Sequence, residues 1–383
     1  MTAIWKPLHG TNQVNTNITP TAGFGFNLLR AEVAAHPNEN VLVSPVSVSV
    51  ALGMTANGAL GTTQAAMVKA LALGEPGESF APHNARYAAL LNELKGSKLG
   101  VKLSIANAIW AAEGTEFEQD FLTTCWQKFK SVINVADFAD PETLVALNKW
   151  CADNTNNLIT KILEEIDPQN LMYLLNAVYF KGTWTTKFDK DDTTDQPFQT
   201  AGGSKQHPLM FRSGDMRYTQ TADYQLVALP FGEAKRINLY VFLPAVGKSP
   251  VDVLAGLNQE SYEGTLAALW ESDGQLHLPR FQLDYAAQLN KSLEALGMGP
   301  ALKKGADFSA MCKSPALHIT DVQHKTFAKF DEEGGEAAAV TSVGMGFESV
   351  CMTWTMKVDR PFVAVLADEQ TGAVLFAGVV YNP

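Results

Sequence analysis

The chain has 383 residues, 46% of them apolar, and a formal net charge of −11 from 40 acidic and 29 basic residues. That length is ample for a large core, and the acidic balance argues against a nucleic-acid groove or an anionic membrane surface as partner. No apolar run is long enough to span a membrane. The first residues lack the apolar core of a signal peptide, which fits a cytoplasmic chain or a mature one whose signal has been removed. No linker, charge block or repeat divides the sequence, so a single domain over residues 1–383, acting as a monomer, is expected.

Thr19-Pro20 predicts a helix start, with Phe24, Leu28 and Leu29 on its buried face. A short β run at residues 40–43 follows. Ser44-Pro45 then caps a second helix that Asn57-Gly58 ends, and Thr62 begins a third. Residues 103–110 read as a strand. Residues 118–129 read as a helix with Phe121, Trp126 and Phe129 toward the core, and Asp140-Pro141 caps another holding Leu144, Leu147 and Trp150. Residues 171–180 are almost wholly apolar, as in a strand buried on both faces. Residues 208–244 are mostly β, and 236–243 alternate with Ile237, Leu239, Val241 and Leu243 on one side. Helical patterns at 251–256 and 261–272 precede a β run at 275–281 and a helix over 285–296 closed by Gly297. Three β runs (317–330, 362–367 and 373–380) finish the chain, the last two joined by a turn at 369–372. Helices early and strands late indicate an α+β fold.

Catalytic signatures are missing: there is no HExxH, no P-loop and no Gly-x-Ser-x-Gly elbow. The seven histidines show no metal-ligand spacing, and His324, inside a β run, reads as a satisfied core group. Of the four cysteines, Cys125, Cys151 and Cys312 have apolar neighbours and read as core thiols. Cys351 lies near the long loop of residues 329–350 and reads as an incidental thiol open to oxidation or pairing between chains. No metal, cofactor or enzymatic activity is expected.

Residues 329–350 are too long and too rich in Gly, Ala and small polar residues for an ordinary connection. They also alternate. Gly335, Ala337, Ala339, Thr341, Val343, Met345 and Phe347 form a set that is small, then apolar, while Glu336 and Glu348 fall in the other set. Alternate residues of a strand face opposite sides, so this loop has the pattern of a strand.

Several ordered motifs carry a family resemblance. Residues 40–63 (Asn-Val-Leu-Val-Ser-Pro-Val-Ser-Val-Ser-Val-Ala-Leu-Gly-Met-Thr-Ala-Asn-Gly-Ala-Leu-Gly-Thr-Thr) resemble an N-terminal signature of the serpins. Asn176-Ala-Val-Tyr-Phe-Lys-Gly-Thr-Trp184 with Phe188-Asp189 resembles a second. Leu278-Pro-Arg-Phe281, Leu296-Gly-Met298, Ala306-Asp-Phe-Ser309, His324-Lys-Thr-Phe327, Glu332-Glu-Gly-Gly-Glu-Ala-Ala-Ala339, Pro361-Phe362 and residues 375–383 match in order, from about residue 20 to the last.

The resemblance implies three β-sheets, about eight or nine helices and an exposed reactive-centre loop at about residues 332–358. It implies a covalent suicide inhibitor of a serine endopeptidase whose cleaved loop inserts into the main sheet. A non-inhibitory carrier, chaperone or storage serpin and an inhibitor of cysteine proteases are the alternatives. The hinge would comprise Glu332, Glu333, Gly334, Gly335, Glu336, Ala337, Ala338 and Ala339. Inhibitory relatives usually carry Thr or Ser where Gly335 stands; glycine permits burial but gives no side-chain packing. Counting seventeen residues from Glu332 inclusive, the usual family spacing, reaches Glu348 and makes Glu348-Ser349 the reactive bond. An acid-accepting protease would be the target. The stretch after it looks about two residues longer than usual, so Phe347 (chymotrypsin-like targets) and Val350, Cys351 or Met352 (elastase-like or cysteine proteases) remain open. Ser44, Ser47, Asn176 and His324 match the polar cluster that governs sheet opening, and Trp184 the aromatic near the hinge. Arg86, Lys95, Lys98 and Lys102 are interleaved with apolar residues and Glu93, so heparin is not expected as a partner.

Overall fold

A computed structural model describes residues 21–74, 79–95, 101–313, 316–334 and 354–383. Helix α1 (Ala22–Ala35) leads into strand β1 (Val41–Val43) and helices α2 (Pro45–Ala56), α3 (Gly61–Ala70) and α4 (Ala81–Glu93). Every residue of α2 is buried. Its valines, alanines and serines are small enough to thread between layers, and it packs on sheet strands on either side.

The β2 strand (Lys102–Ala112) precedes α5 (Gln119–Thr124), which continues as a wider turn to Phe129; β3 (Val132–Ala136) and α6 (Pro141–Asn154) come next. Asp140 caps α6 as predicted, its Oδ1 accepting from the Glu142 N–H at 2.9 Å. Strand β4 (Met172–Lys181) is buried on both faces along nearly its whole length, as its unbroken apolar run requires. Strands β5 (Thr194–Thr200), β6 (Gly203–Gln220), β7 (Tyr224–Phe231) and β8 (Ile237–Pro244) follow, then α7 (Pro250–Gly256), α8 (Gln259–Ala267), β9 (Trp270–Pro279) and β10 (Phe281–Gln288). Short helices α9 (Asn290–Leu293) and α10 (Gly299–Leu302) flank a turn at Gly297, whose φ of +95° suits glycine. The chain closes with β11 (Asp321–Phe330), β12 (Trp354–Lys357), β13 (Phe362–Asp368) and β14 (Ala373–Val380).

The main sheet has five strands in the order β10-β11-β4-β2-β3. The other strands form one continuous ladder of nine. The α+β three-sheet arrangement is thus present with two of its sheets fused. The long strand β6 does this, pairing with β5 and β9 along most of its length and with β7 at its end.

Four expectations about element bounds and burial need correction. Trp126 is 64% exposed rather than in the core; the turn widens at Cys125, which rotates the face that Phe121 and Phe129 bury. Strand β8 is buried on both faces, not one; its β7 and β13 neighbours pair its edges, and α7 packs against it. Helix α8 ends at Ala267, and residues 270–272 pair with β6 instead. Residues 285–288 belong to β10, paired with β11, so tertiary pairing overrides their helical spacing.

Candidate functional site

In the main sheet β11 runs parallel to β4, in register from Asp321↔Tyr173 to Phe327↔Tyr179. The other β11 neighbour, β10, is antiparallel, as is β2 beside β4. Pairing across the β4/β11 seam stops at Phe327, although both strands continue. A cavity of about 180 Å³ lies there, lined by Tyr179, Phe180, Lys181, Phe327 and Lys329 among others.

Register brings three polar side chains into one row across the sheet: Asn107 on β2 opposite Asn176 on β4, and Asn176 opposite His324 on β11. The start of α2 lies against this row. The Ser44 backbone N–H donates to His324 Nε2 at 3.1 Å. That leaves the ring proton on Nδ1, which donates to Asn176 Oδ1 at 2.5 Å. The Asn176 amide then donates to Ser47 Oγ and, at 2.5 Å, to Asn107 Oδ1. Thr326, two residues along β11, donates to the Leu42 carbonyl at 2.8 Å. His324 is buried and neutral: burial pushes its pKa down from 6.5 to about 3.

Thus the structure brings together Ser44, Ser47, Asn176 and His324. The Ser44 hydroxyl does not cap α2; it is buried with no hydrogen-bond partner among the described residues. Asn107 completes the network and was missed in the sequence. Its signal was weak: one amide in a mostly apolar strand that also holds Ser104.

Trp184 lies apart from this cluster, at the seam's upper end. It is buried and stacks on Phe231 with centroids 4.1 Å apart. Its indole N–H donates to the Asp331 carbonyl at 2.7 Å, and its backbone N–H donates to the Glu333 carbonyl at 3.0 Å. The Phe188 N–H donates to the Glu332 carbonyl at 3.1 Å. Gly334 bridges to Thr183 with φ +121°; a Cβ there would lie 2.2 Å from the Gly182 carbonyl oxygen. Only glycine fits so close an approach.

The acidic residues of this stretch are tied down. Glu332 Oε1 accepts from Arg280 Nε and from Thr193 Oγ1, both at 2.6 Å. Burial alone would raise its carboxyl, but those hydrogen bonds outweigh burial and hold it below the usual carboxylate range. Glu333 pairs with Lys187 at 2.5 Å and Lys190 at 3.4 Å; the Lys187 bond chiefly keeps its carboxyl low. The chain is therefore anchored up to Gly334. Gly335, Glu336, Ala337, Ala338 and Ala339, the expected reactive bond Glu348-Ser349 and Cys351 lie outside the described residues. Cys125, Cys151 and Cys312 are buried, as expected of core thiols.

This is the three-sheet α+β fold class of the serpins. The serpin (serine protease inhibitor) family model matches residues 19–383. Serine protease inhibitor 42Dd of Drosophila melanogaster is 33% identical over 359 residues, covering 91% of this chain and 93% of that protein. The crystal structure of a thermophilic serpin, tengpin, in its native state superposes with a TM-score of 0.88 at 31% identity, covering 99% and 97% of the two chains. Human thyroxine-binding globulin complexed with its hormone gives a TM-score of 0.88 over 97% and 100%, but at 24% identity it shares the fold alone. The chain belongs to the serpin family, whose members are mostly protease inhibitors rather than enzymes.

Proposed function

We propose that the protein is a suicide inhibitor of a serine endopeptidase. The protease attacks the Glu348-Ser349 bond, and the chain beyond Gly334 then inserts between β4 and β11. The observation that carries this reading is the parallel seam. A strand that turns back from the end of β11 runs antiparallel to β11, and hence to β4 also. Insertion would replace one parallel interface by two antiparallel ones, the more stable kind per residue, and each new backbone hydrogen bond adds about 0.5–1.5 kcal/mol. Strand addition to a sheet and release of stored strain are general routes of which serpin loops are a standing example.

The residues have distinct roles in this reading. Glu332, Glu333 and Gly334 form the fixed pivot, held by Arg280, Thr193, Lys187 and Trp184. Gly335 and Ala337 to Ala339 are small enough to enter the sheet first. The Ser44, Ser47, Asn107, Asn176 and His324 network must part at the His324–Asn176 bond, the only bond of that network that spans the seam directly. An acyl-enzyme dragged along the sheet loses its catalytic geometry; a displacement of about 1 Å can cost roughly 100-fold in rate.

The test incubates the protein with Glu-specific, chymotrypsin-like, elastase-like and trypsin-like proteases, then uses denaturing gels and the mass of the released fragment. A detergent-stable complex with a fragment starting at Ser349 supports the reading. A different start moves the bond within residues 347–352 and changes the target class. Clean cleavage by every serine protease, with no complex, sinks it in favour of a carrier-type serpin. A complex formed only with a cysteine protease points to cross-class inhibition.

A further inference from the structure

Residues 155–171 connect α6 to β4, and a cavity of about 760 Å³ lies between this connection and the ends of β4, β11 and β10. It is on the face of the main sheet away from the His324 network: Asp321, which lines it, precedes His324 by three residues and so points to the other side of β11. Hydrogen bonds hold the roof in place. Asn148 on α6 accepts from the Ile162 and Leu163 N–H groups at 2.7 and 3.1 Å, and its amide donates to the Leu163 carbonyl at 2.9 Å. Further along, the Tyr173 hydroxyl accepts from the Asp167 N–H at 2.9 Å and from the Asn170 amide at 2.7 Å. The cavity is therefore formed by the fold itself, as ligand sites usually are.

Asp321 sits in its floor, opposite Tyr173 in register and only 7% exposed. The Gln323 amide donates to both carboxylate oxygens, at 2.9 and 3.0 Å, and Gln288 donates as well. Among the described residues no Lys, Arg or His pairs with it. Amides alone do not offset the removal of a carboxylate from water, and burial pushes the Asp321 carboxyl above its ordinary range. The next base along β11, Lys325, donates to the Lys161 carbonyl at 3.0 Å instead.

The rest of the lining sets the charge and shape of what fits. Glu164, Glu165 and Asp167 are exposed on the connection. Against these and Asp321 the lining holds Lys161 and Lys325, a surplus of two negative charges. Lys161 already pairs with Glu164. Ile166, Pro168 and Ala286 add apolar surface. Among the described residues no three of His, Cys, Asp or Glu come close enough to hold a metal ion. The negative charge is thus spread out rather than focused on a point, which suits two positive charges separated by methylenes.

We propose that this cavity binds a linear aliphatic diamine, with one ammonium on the Asp321 carboxylate and the other among Glu164, Glu165 and Asp167. An ammonium has three donors and no acceptor, which matches the lone pairs that Gln323 and Gln288 leave open. The methylenes lie against the apolar lining. Both β4 and β11 contribute to the site, so occupancy stabilises the native sheet by mass action. The site involves no protease and no residue beyond Gly334, and it stands or falls independently of the proposed inhibition.

The test titrates the whole protein with putrescine and cadaverine at constant ionic strength, by calorimetry and by melting temperature. Butylamine and magnesium chloride are the comparisons. At least one diamine binds and raises the melting temperature, butylamine binds about threefold more weakly, and magnesium has no matching effect. Asp321→Asn weakens both amines about tenfold or more. The double variant Glu164→Gln, Glu165→Gln changes exposed side chains and keeps the fold. It brings the diamine to the affinity of butylamine and leaves butylamine itself unchanged, a difference that a general loss of stability would not produce. Absence of diamine binding, equal affinity in Asp321→Asn, or an equal rise with magnesium overturns the proposal. If Asp321→Asn does not fold, the double variant decides: undiminished diamine affinity there overturns it.

Discussion

His324 Nδ1 stands 2.5 Å from Asn176 Oδ1, and the bond joins β11 to β4 across the seam where a new strand would enter. Removing either partner leaves the other buried and unsatisfied, at about 1–3 kcal/mol. Asn176→Ala and His324→Ala should therefore lower the urea midpoint of the native protein and raise its rate of spontaneous conversion or association. The double variant should lose less than the sum, because each single change already breaks the shared bond. Fully additive losses would show that the two residues do not act as one latch.

The same histidine makes the native state sensitive to acid. Its pKa is about 3 when folded and 6.5 in its ordinary state. The unfolded chain therefore takes up a proton below about pH 6.5 that the folded chain refuses. Stability from this group is complete above pH 6.5 and is lost as pH falls toward 3, by ~1.4 kcal/mol per unit once well below 6.5. The wild-type unfolding free energy minus that of His324→Gln, measured from pH 7.5 to 4.5, should fall along this slope. A flat difference would falsify the buried neutral assignment. Using a difference cancels the carboxylates and the histidines 207, 277 and 318, which are also held low.

At the mouth of the seam, Gly334→Ala should be costly. The residue has φ +121° and no room for a Cβ beside the Gly182 carbonyl. A loss of about 1–3 kcal/mol is expected, together with faster proteolysis near the hinge. Gly335→Ala, one residue on, should instead be tolerated in the native state. The comparison is read by thermal melting, and a harmless Gly334→Ala would show that the Thr183 bridge is dispensable.

Charge in the hinge should separate cleavage from trapping. Gly335→Arg or Ala337→Glu would bury an unpaired charge on insertion, while leaving the bait bond open to attack. The expected result is a protein cleaved at an unchanged bond, with little covalent complex on denaturing gels. Unimpaired complex formation would exclude these residues from the inserted strand.

Heparin provides a simple negative control. Of the basic residues weighed for heparin, Arg86 lies on α4, Lys95 in the turn after it and Lys102 on β2, while Lys98 lies outside the described residues. Inhibition rates with and without heparin should agree within about threefold at physiological salt, since scattered charges are screened. A rise of orders of magnitude would contradict this.

Much of the fold was legible because it follows from local chemistry. Residues 171–180 read as a doubly buried strand, Asp140-Pro141 as a helix start, and residues 369–372 as a turn joining two apolar strands. The ordered serpin motifs supplied the rest of the architecture. Periodicity failed at residues 285–288 and 270–272, where a neighbouring strand claimed a helix-compatible segment, and at Trp126, which a widened turn sends outward.

The candidate site divides in the same way. By itself the sequence determined which residues are small enough to enter a sheet, that Glu332 stands seventeen residues before Ser349, and that Asn176 is a polar group in an apolar run and His324 one in a β-rich run. Those are properties of composition and spacing along one chain. Only the tertiary structure decided that Asn107 shares their row and that Arg280 and Thr193 hold Glu332. Each of these joins residues tens to hundreds of positions apart, and strand register, which no local pattern encodes, sets who meets whom.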